Sequence, residues 1–273
     1  GLSASRASSS VLSSFSRVRR SRRRAQRRAA PRPEIVVTTP DSAAIDLIAA
    51  QGYGLLSRDR LELTGSDIAR FALPANRTLA QARAEILQLV PAALLDPNHV
   101  YRPGELACGA DGCVAFDLIG WSPEPLTCRP GTIVGMIDTG VNTGHQALAG
   151  VEVEHFALPG PERKPSSRVH GTAIAVLIAG RAESRTPGLL GGARLIAADA
   201  FHADAAGQDA ADAFDVARAL DRLAASDARV VNLSFAGPAN LVLERVVRAV
   251  LDRDVVLVAA AGNDGPNAES LYP

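Results

Sequence analysis

Three polar residues stand where their types can do chemistry. Asp138 closes the apolar run TIVGMID and is followed by Thr139 and Gly140. His170 opens the stretch HGTAIAVLIAG, and Asn263 ends VVLVAAAGN, flanked by Gly262 and Gly265. A carboxylate at the end of an apolar strand can orient a base, share a proton with a second carboxylate, accept a phosphoryl group or simply close a turn. A histidine at a helix start, followed by glycine and small residues, is poorly placed for core packing and well placed to enter a cleft as a general base. An asparagine among glycines can satisfy a turn or aim its amide at developing negative charge. A fourth stretch, VVNLSFAGP, ends in small residues from Ser234 through Phe235 and Ala236 to Gly237, where an extended peptide backbone can approach and pair. His99, His145, His155 and His202 have no such setting and are expected at the surface or beside the site.

These groups need a frame. From residue 132 onward, TIVGMID, ARLIAADAF, ARVVNLSF and VVLVAAAGN read as near-continuous apolar strands. They alternate with two helical stretches, DAADAFDVARALDRLAAS and NLVLERVVRAVLDRD. Strands apolar throughout and separated by helices imply a mostly parallel, doubly wound α/β sheet covered on both faces. In such sheets the functional groups lie beyond the carboxyl ends of the strands, where Asp138 and Asn263 fall.

Residues 34–104 read differently. EIVVTT is a strand and PDSAAIDLIAAQG a helix, with Asp41 or Ser42 as cap and Gly52 as stop. YGLLSRDRLELTGSDIARFALP gives two strands around a turn near Thr64-Gly65, TLAQARAEILQLV a helix capped by Thr78, and HVYRP a last short strand. This β-α-β-β-α-β order predicts a small ferredoxin-like α+β domain. Residues 105–131 form an irregular connector with Cys108, Cys113 and Cys128. CGADGC lacks a nearby histidine and makes a poor zinc site. A disulfide from Cys128 to Cys113 or Cys108 is expected instead, in an oxidising compartment.

Residues 1–33 hold ten arginines and no acid, leaving 19 basic and 29 acidic residues in 34–273. The net charge of zero therefore joins a basic, Ser/Arg-rich, disordered linker to an acidic globular part, which argues against a nucleic-acid partner. No apolar run has transmembrane length. The 47% hydrophobic content is ample for a packed core. No acidic cluster has calcium-loop spacing, so neither a metal nor another cofactor is expected.

Asp138-Thr139-Gly140, His170-Gly171-Thr172, Asn232-Leu233-Ser234 and Ala261-Gly262-Asn263 occur in that order. Together they resemble the subtilisin-like serine proteases of the subtilase family over about residues 132–273. The resemblance implies a serine endopeptidase in which His170 is the base, Asp138 orients it, Asn263 donates to the oxyanion, and Ser234, Phe235, Ala236 and Gly237 line the substrate groove. It also implies a peptide or protein substrate, a monomer, and a secreted or periplasmic location. Residues 34–104 are similar to the family's inhibitory prodomains. That implies an intramolecular partner whose last strand lies in the groove near Ser234, with cleavage following within about 103–131.

The sequence departs from the family in one respect that matters. The nucleophile motif Gly-Thr-Ser-x-Ala-x-Pro does not occur in it. The Gly1 start and the end at Pro273 lead us to expect a truncated, zymogen-like piece that is inactive as it stands. The rival reading is a non-catalytic subtilase-like module that binds peptides or a partner. Other chemistries fit less well. An aspartic protease built on one Asp-Thr-Gly needs a homodimer and a β-rich fold. A phospho-acceptor Asp138 leaves His170 and Asn263 unexplained. The glycines of GLLGGARL precede a strand, whereas a dinucleotide site needs them after one.

Overall fold

The computed structural model describes residues 32–104, 120–121, 131–260 and 271–272. The N-terminal region contains β1 (Glu34–Thr39), α1 (Ser42–Ala50), β2 (Gly54–Leu61), β3 (Ser66–Ala72), α2 (Leu79–Leu89) and β4 (Leu94–Pro97). Its antiparallel sheet has the order β2-β3-β1-β4. Local chemistry sets the helix ends. The Asp41 carboxylate accepts from Ala43 N–H at 2.9 Å to start α1, and Gly52, at φ 89°, turns the chain after it. Thr78 and Gln81 form a reciprocal capping box on α2.

Strand β1 is buried along nearly its whole length because both faces of this sheet are covered. Ile35 and Val37 pack with Ile45, Ile48, Phe71 and Ile86 under the region's own helices. Val36 and Ile68 point the other way, into a core shared with the second region.

That second region is built on a parallel sheet of β6 (Ile133–Asp138), β7 (Val153–Ala157), β9 (Arg194–Asp199), β12 (Val230–Leu233) and β14 (Val256–Ala259), in the order β14-β12-β6-β9-β7. Side-chain alternation divides its two faces. Val134, Met136, Leu195 and Ala197 pack against α3 (Val169–Ala179). Ile137, Ile196, Ala198 and Val231 pack with residues of α4 (Ala213–Ala224) and α5 (Leu241–Leu251). The doubly wound α/β expectation holds. Strand β7, on the sheet edge, was not anticipated.

Two sequence expectations need correction. HVYRP does not complete the four-stranded sheet. LLDP does, as β4, pairing with Ile35–Thr38 of β1. After Pro97 the chain turns, and Val100–Pro103 leaves as β5 to join a different sheet, β13-β5-β11-β10-β8. The other members are β8 (Lys164–Pro165), β10 (Phe201–Ala203), β11 (Asp209–Asp212) and β13 (Phe235–Ala236). A deep apolar seat for Tyr101 draws β5 there. The stretch DAADAFDVARALDRLAAS is also not wholly helical. Asp209–Asp212 is strand β11, and α4 begins at Ala213.

The two regions are joined by polar contacts as well as by the shared core. Asp212 stands at the N-cap of α4 but makes no side-chain cap bond. Its carboxylate is engaged by Arg70 at 2.9 Å and by Arg163, so Asn98 Oδ1 accepts the Phe214 N–H in its place. Asp96 likewise accepts from Leu241 N–H at the start of α5, and Asp221 accepts from the amides of Glu62 and Leu63.

Candidate active site

Asp138 ends β6 and is 1% exposed. Its Oδ1 accepts from the Thr139 amide at 2.7 Å and lies 2.6 Å from His170 Nδ1. Oδ2 is buried and has no hydrogen-bond partner among the described residues.

The residues after His170 explain how the ring gets there. A Cβ on Gly171 would stand 2.2 Å from the Thr139 carbonyl oxygen and 2.7 Å from that of Gly140. Only glycine lets α3 seat directly on the Asp138 turn. The Gly171 N–H donates to Thr139 Oγ1 at 2.8 Å, and Thr172 Oγ1 accepts from the Asn142 N–H at 2.8 Å. His-Gly-Thr is thus a reach, a close approach and a tie.

Burial pushes the Asp138 carboxyl above the usual carboxylate range, offset in part by its bonds to His170 and Thr139. Burial alone would lower His170. The bond to Asp138 and its charge, a hydrogen bond to the Gly104 backbone and the charge of Asp209 outweigh that, so His170 binds its proton more tightly than an ordinary histidine. The arrangement holds the imidazole by Nδ1 against Asp138 and turns its other ring nitrogen toward the Gly104 backbone.

Ser234, Phe235, Ala236 and Gly237 border a groove that is occupied by the chain's own β5. Phe235 and Ala236 pair antiparallel with Pro103 and Arg102, and the Gly104 N–H donates to the Ser234 carbonyl at 2.9 Å. On the other edge, Ala211 and Asp212 pair with Tyr101 and Val100. Tyr101 is fully buried. Its hydroxyl donates to the Pro238 carbonyl at 2.9 Å, and its ring meets Phe235 edge-on at 6.0 Å between centroids. A Cβ on Gly237 would stand 2.4 Å from the Tyr101 ring, so this glycine makes room for the tyrosine. Because the Gly104 N–H is spent on Ser234, the carbonyl is the backbone group that faces His170.

Of the residues singled out from sequence, Asp138, His170 and Ser234–Gly237 come together around β5. Asn263 and the three cysteines lie outside the described residues. His202 is buried against Arg163, whereas the sequence suggested a surface or flanking position. Tyr101, Asp199 and Ser166 were missed at the site. Asp199 ended an apolar strand just as Asp138 does, and that was the available signal. Among the described residues no group of three or more His, Cys, Asp or Glu side chains could hold a metal ion. Nor is any helix among them long and apolar enough to cross a membrane.

The sequence profile of the subtilase family matches residues 129–273. Subtilase-type proteinase psp3 of Schizosaccharomyces pombe is 32% identical over 150 residues, which cover 54% of this chain and 32% of that protein. Subtilisin BL of Lederbergia lenta is 32% identical over 147 residues, covering 52% of this chain and 51% of that one. The chain thus spans about a third to a half of these curated relatives. The crystal structure of fervidolysin from Fervidobacterium pennivorans, a keratinolytic enzyme related to subtilisin, shares the fold. Its TM-score is 0.66 at 20% identity, with 85% of this chain and 40% of that one covered. With the profile matching over half of its residues and the strand, helix and groove motifs in one site, the chain belongs to the subtilase family.

Proposed function

We propose that this chain is a zymogen-like form of a subtilisin-like serine endopeptidase. The observation that carries the reading is the 2.6 Å contact between His170 Nδ1 and a buried Asp138, at the edge of a groove that already holds an extended peptide segment. His170 takes the proton of an attacking serine hydroxyl and returns it to the leaving amine. Asp138 keeps the ring in the tautomer that presents its free nitrogen and stabilises the imidazolium as it forms. Asn263 donates to the tetrahedral oxyanion. Backbone from Ser234 to Gly237 binds substrate as an antiparallel strand. The Gly-Thr-Ser motif that would supply that serine does not occur in these 273 residues.

In this reading residues 34–104 are the inhibitory prodomain, and β5 occupies the groove as a product does. Three features support it: pairing of β5 on both edges, the burial of Tyr101, and the Gly104 carbonyl against His170. Maturation then cuts on the carboxyl side of Gly104.

The test is made in the full-length protein. Asp138→Asn should leave the fold intact and lower peptide hydrolysis about 10⁴-fold. Turnover close to that of the parent protein would sink the assignment. The absence of a Gly-Thr-Ser motif favours one other reading, a peptide-binding module. It becomes the lead if the full-length protein carries no serine that reacts with a fluorophosphonate.

A further inference from the structure

Asp199 is a second carboxylate beside the first. It ends β9, directly in register with Asp138 at the end of β6, and is 7% exposed. The rest of RLIAAD is apolar apart from Arg194, so a carboxylate at its inner end costs stability unless it is bonded. Its partners are few and specific. Oδ1 accepts from the Phe201 amide at 3.0 Å, and Oδ2 accepts from the Ser166 hydroxyl at 2.9 Å. The same Ser166 oxygen accepts from the Gly140 amide at 2.8 Å. The relay therefore leads from Asp199 through Ser166 to the turn that begins at Asp138. A Cβ on Gly140 would stand 3.3 Å from Asp199 Oδ2 and 3.3 Å from Arg168 Cγ, so the carboxylate packs against the turn as well as bonding to it.

We propose that Asp199 is a positioning residue for the Asp138–His170 pair, acting through Ser166 to fix the Gly140 amide and so the direction of Asp138. The proposal rests on the reading of Asp138 and His170 as the catalytic pair. Asp199 touches no reacting atom. It adds an anchor to a turn that Thr139 and Thr172 already tie to α3. Burial first, with the charges of Asp209 and Asp138 adding to it, raises Asp199 to about 6, so it is ionised and accepting at neutral pH. The Ser166 hydroxyl has the ionised Asp199 at 2.9 Å and the Ser167 carbonyl at 3.2 Å as acceptors; the shorter, charged one takes its proton, and its lone pair accepts from Gly140.

The experiment needs no turnover. Nitrogen-15 NMR on the chain as it stands follows the His170 Nδ1–H resonance and the titration of the ring. Asp138→Asn should abolish the downfield Nδ1–H signal and lower the ring's proton affinity. If it changes neither, the catalytic-pair reading fails. Given that response, Ser166→Ala and Asp199→Asn should each broaden or shift the Nδ1–H resonance and lower the proton affinity of His170 about threefold. Ser166→Thr, which keeps the hydroxyl, should restore both. Ser166 is partly exposed, so its variant folds even if burial makes the Asp199 variant unstable. A Ser166→Ala protein that loses unfolding free energy while His170 stays at its wild-type signal and titration overturns the proposal.

Discussion

The two sheets solve the same covering problem in different ways. The parallel sheet is covered on both faces by helices from its own region, α3 on one side and α4 and α5 on the other. The antiparallel sheet has only two helices, both on one face, and leaves Val36 and Ile68 of the other face to α4 and α5. A half-covered sheet with an apolar second face is a docking surface. The N-terminal region is thus built to be completed by the region it sits on, and its last segment continues past the contact into the groove.

The difference should appear first in Arg70→Ala. Arg70 is buried at the junction with Asp212, and removing one partner of a buried pair typically costs about 3–5 kcal/mol. Hydrogen exchange should accelerate through β1–β4 and β5 while β6 and β9 keep their protection. Equal loss in both sheets would mean a single cooperative unit and would erase the distinction. Gly171→Ala should do the opposite. The added carbon must push α3 off the Asp138 turn, at a cost of about 1–3 kcal/mol. Its signature is loss of the His170 Nδ1–H resonance with the N-terminal sheet undisturbed.

The smallest effect is a pH slope at the junction. Burial raises Asp212 and Asp215 to about 6 despite their arginine partners. Because the folded values lie above the unfolded ones, folding takes up protons. The stability these groups contribute is fully present below the unfolded carboxylate range and is lost as pH rises through about 6. The urea midpoint should therefore rise as pH is lowered from 7 toward 5, and Asp212→Asn should flatten that rise. An unchanged slope in the variant would put the proton uptake elsewhere.

Much of the site was legible because its chemistry demands short, local patterns. Gly171 follows His170 for a steric reason, and Thr172 ties the helix to Asn142, so three adjacent residues carry the signature. Helices α1 and α2 were legible through Asp41, Gly52 and Thr78, which act within a turn of their own elements, whereas the part of Gln81 in the α2 capping box was seen only in the structure. The errors came where a segment takes its partner from far along the chain. HVYRP looks like a strand but does not say which sheet it joins, and Tyr101 finds Phe235 and Gly237 only in three dimensions. Asp209–Asp212 continues a helical pattern by composition, yet pairing with Tyr101 and Val100 holds it extended. Asp199 was passed over because its strand read as apolar core, and its importance depends on register with Asp138. One clue was available and unused. EIVVTT lacks the alternation of a sheet with one wet face, and that foretells a second cover.

Strand β5 is an interior strand, between β13 and β11, of a sheet whose other members all belong to the second region. Its removal would create two bare backbone edges facing each other, each with a row of unsatisfied amides and carbonyls. An emptied groove would therefore offer strand-pairing edges on both sides. Pairing of this kind is indifferent to sequence, whereas the seat that Gly237 leaves for the Tyr101 ring is a side-chain contact. In this structure the chain's own N-terminal segment keeps those edges covered.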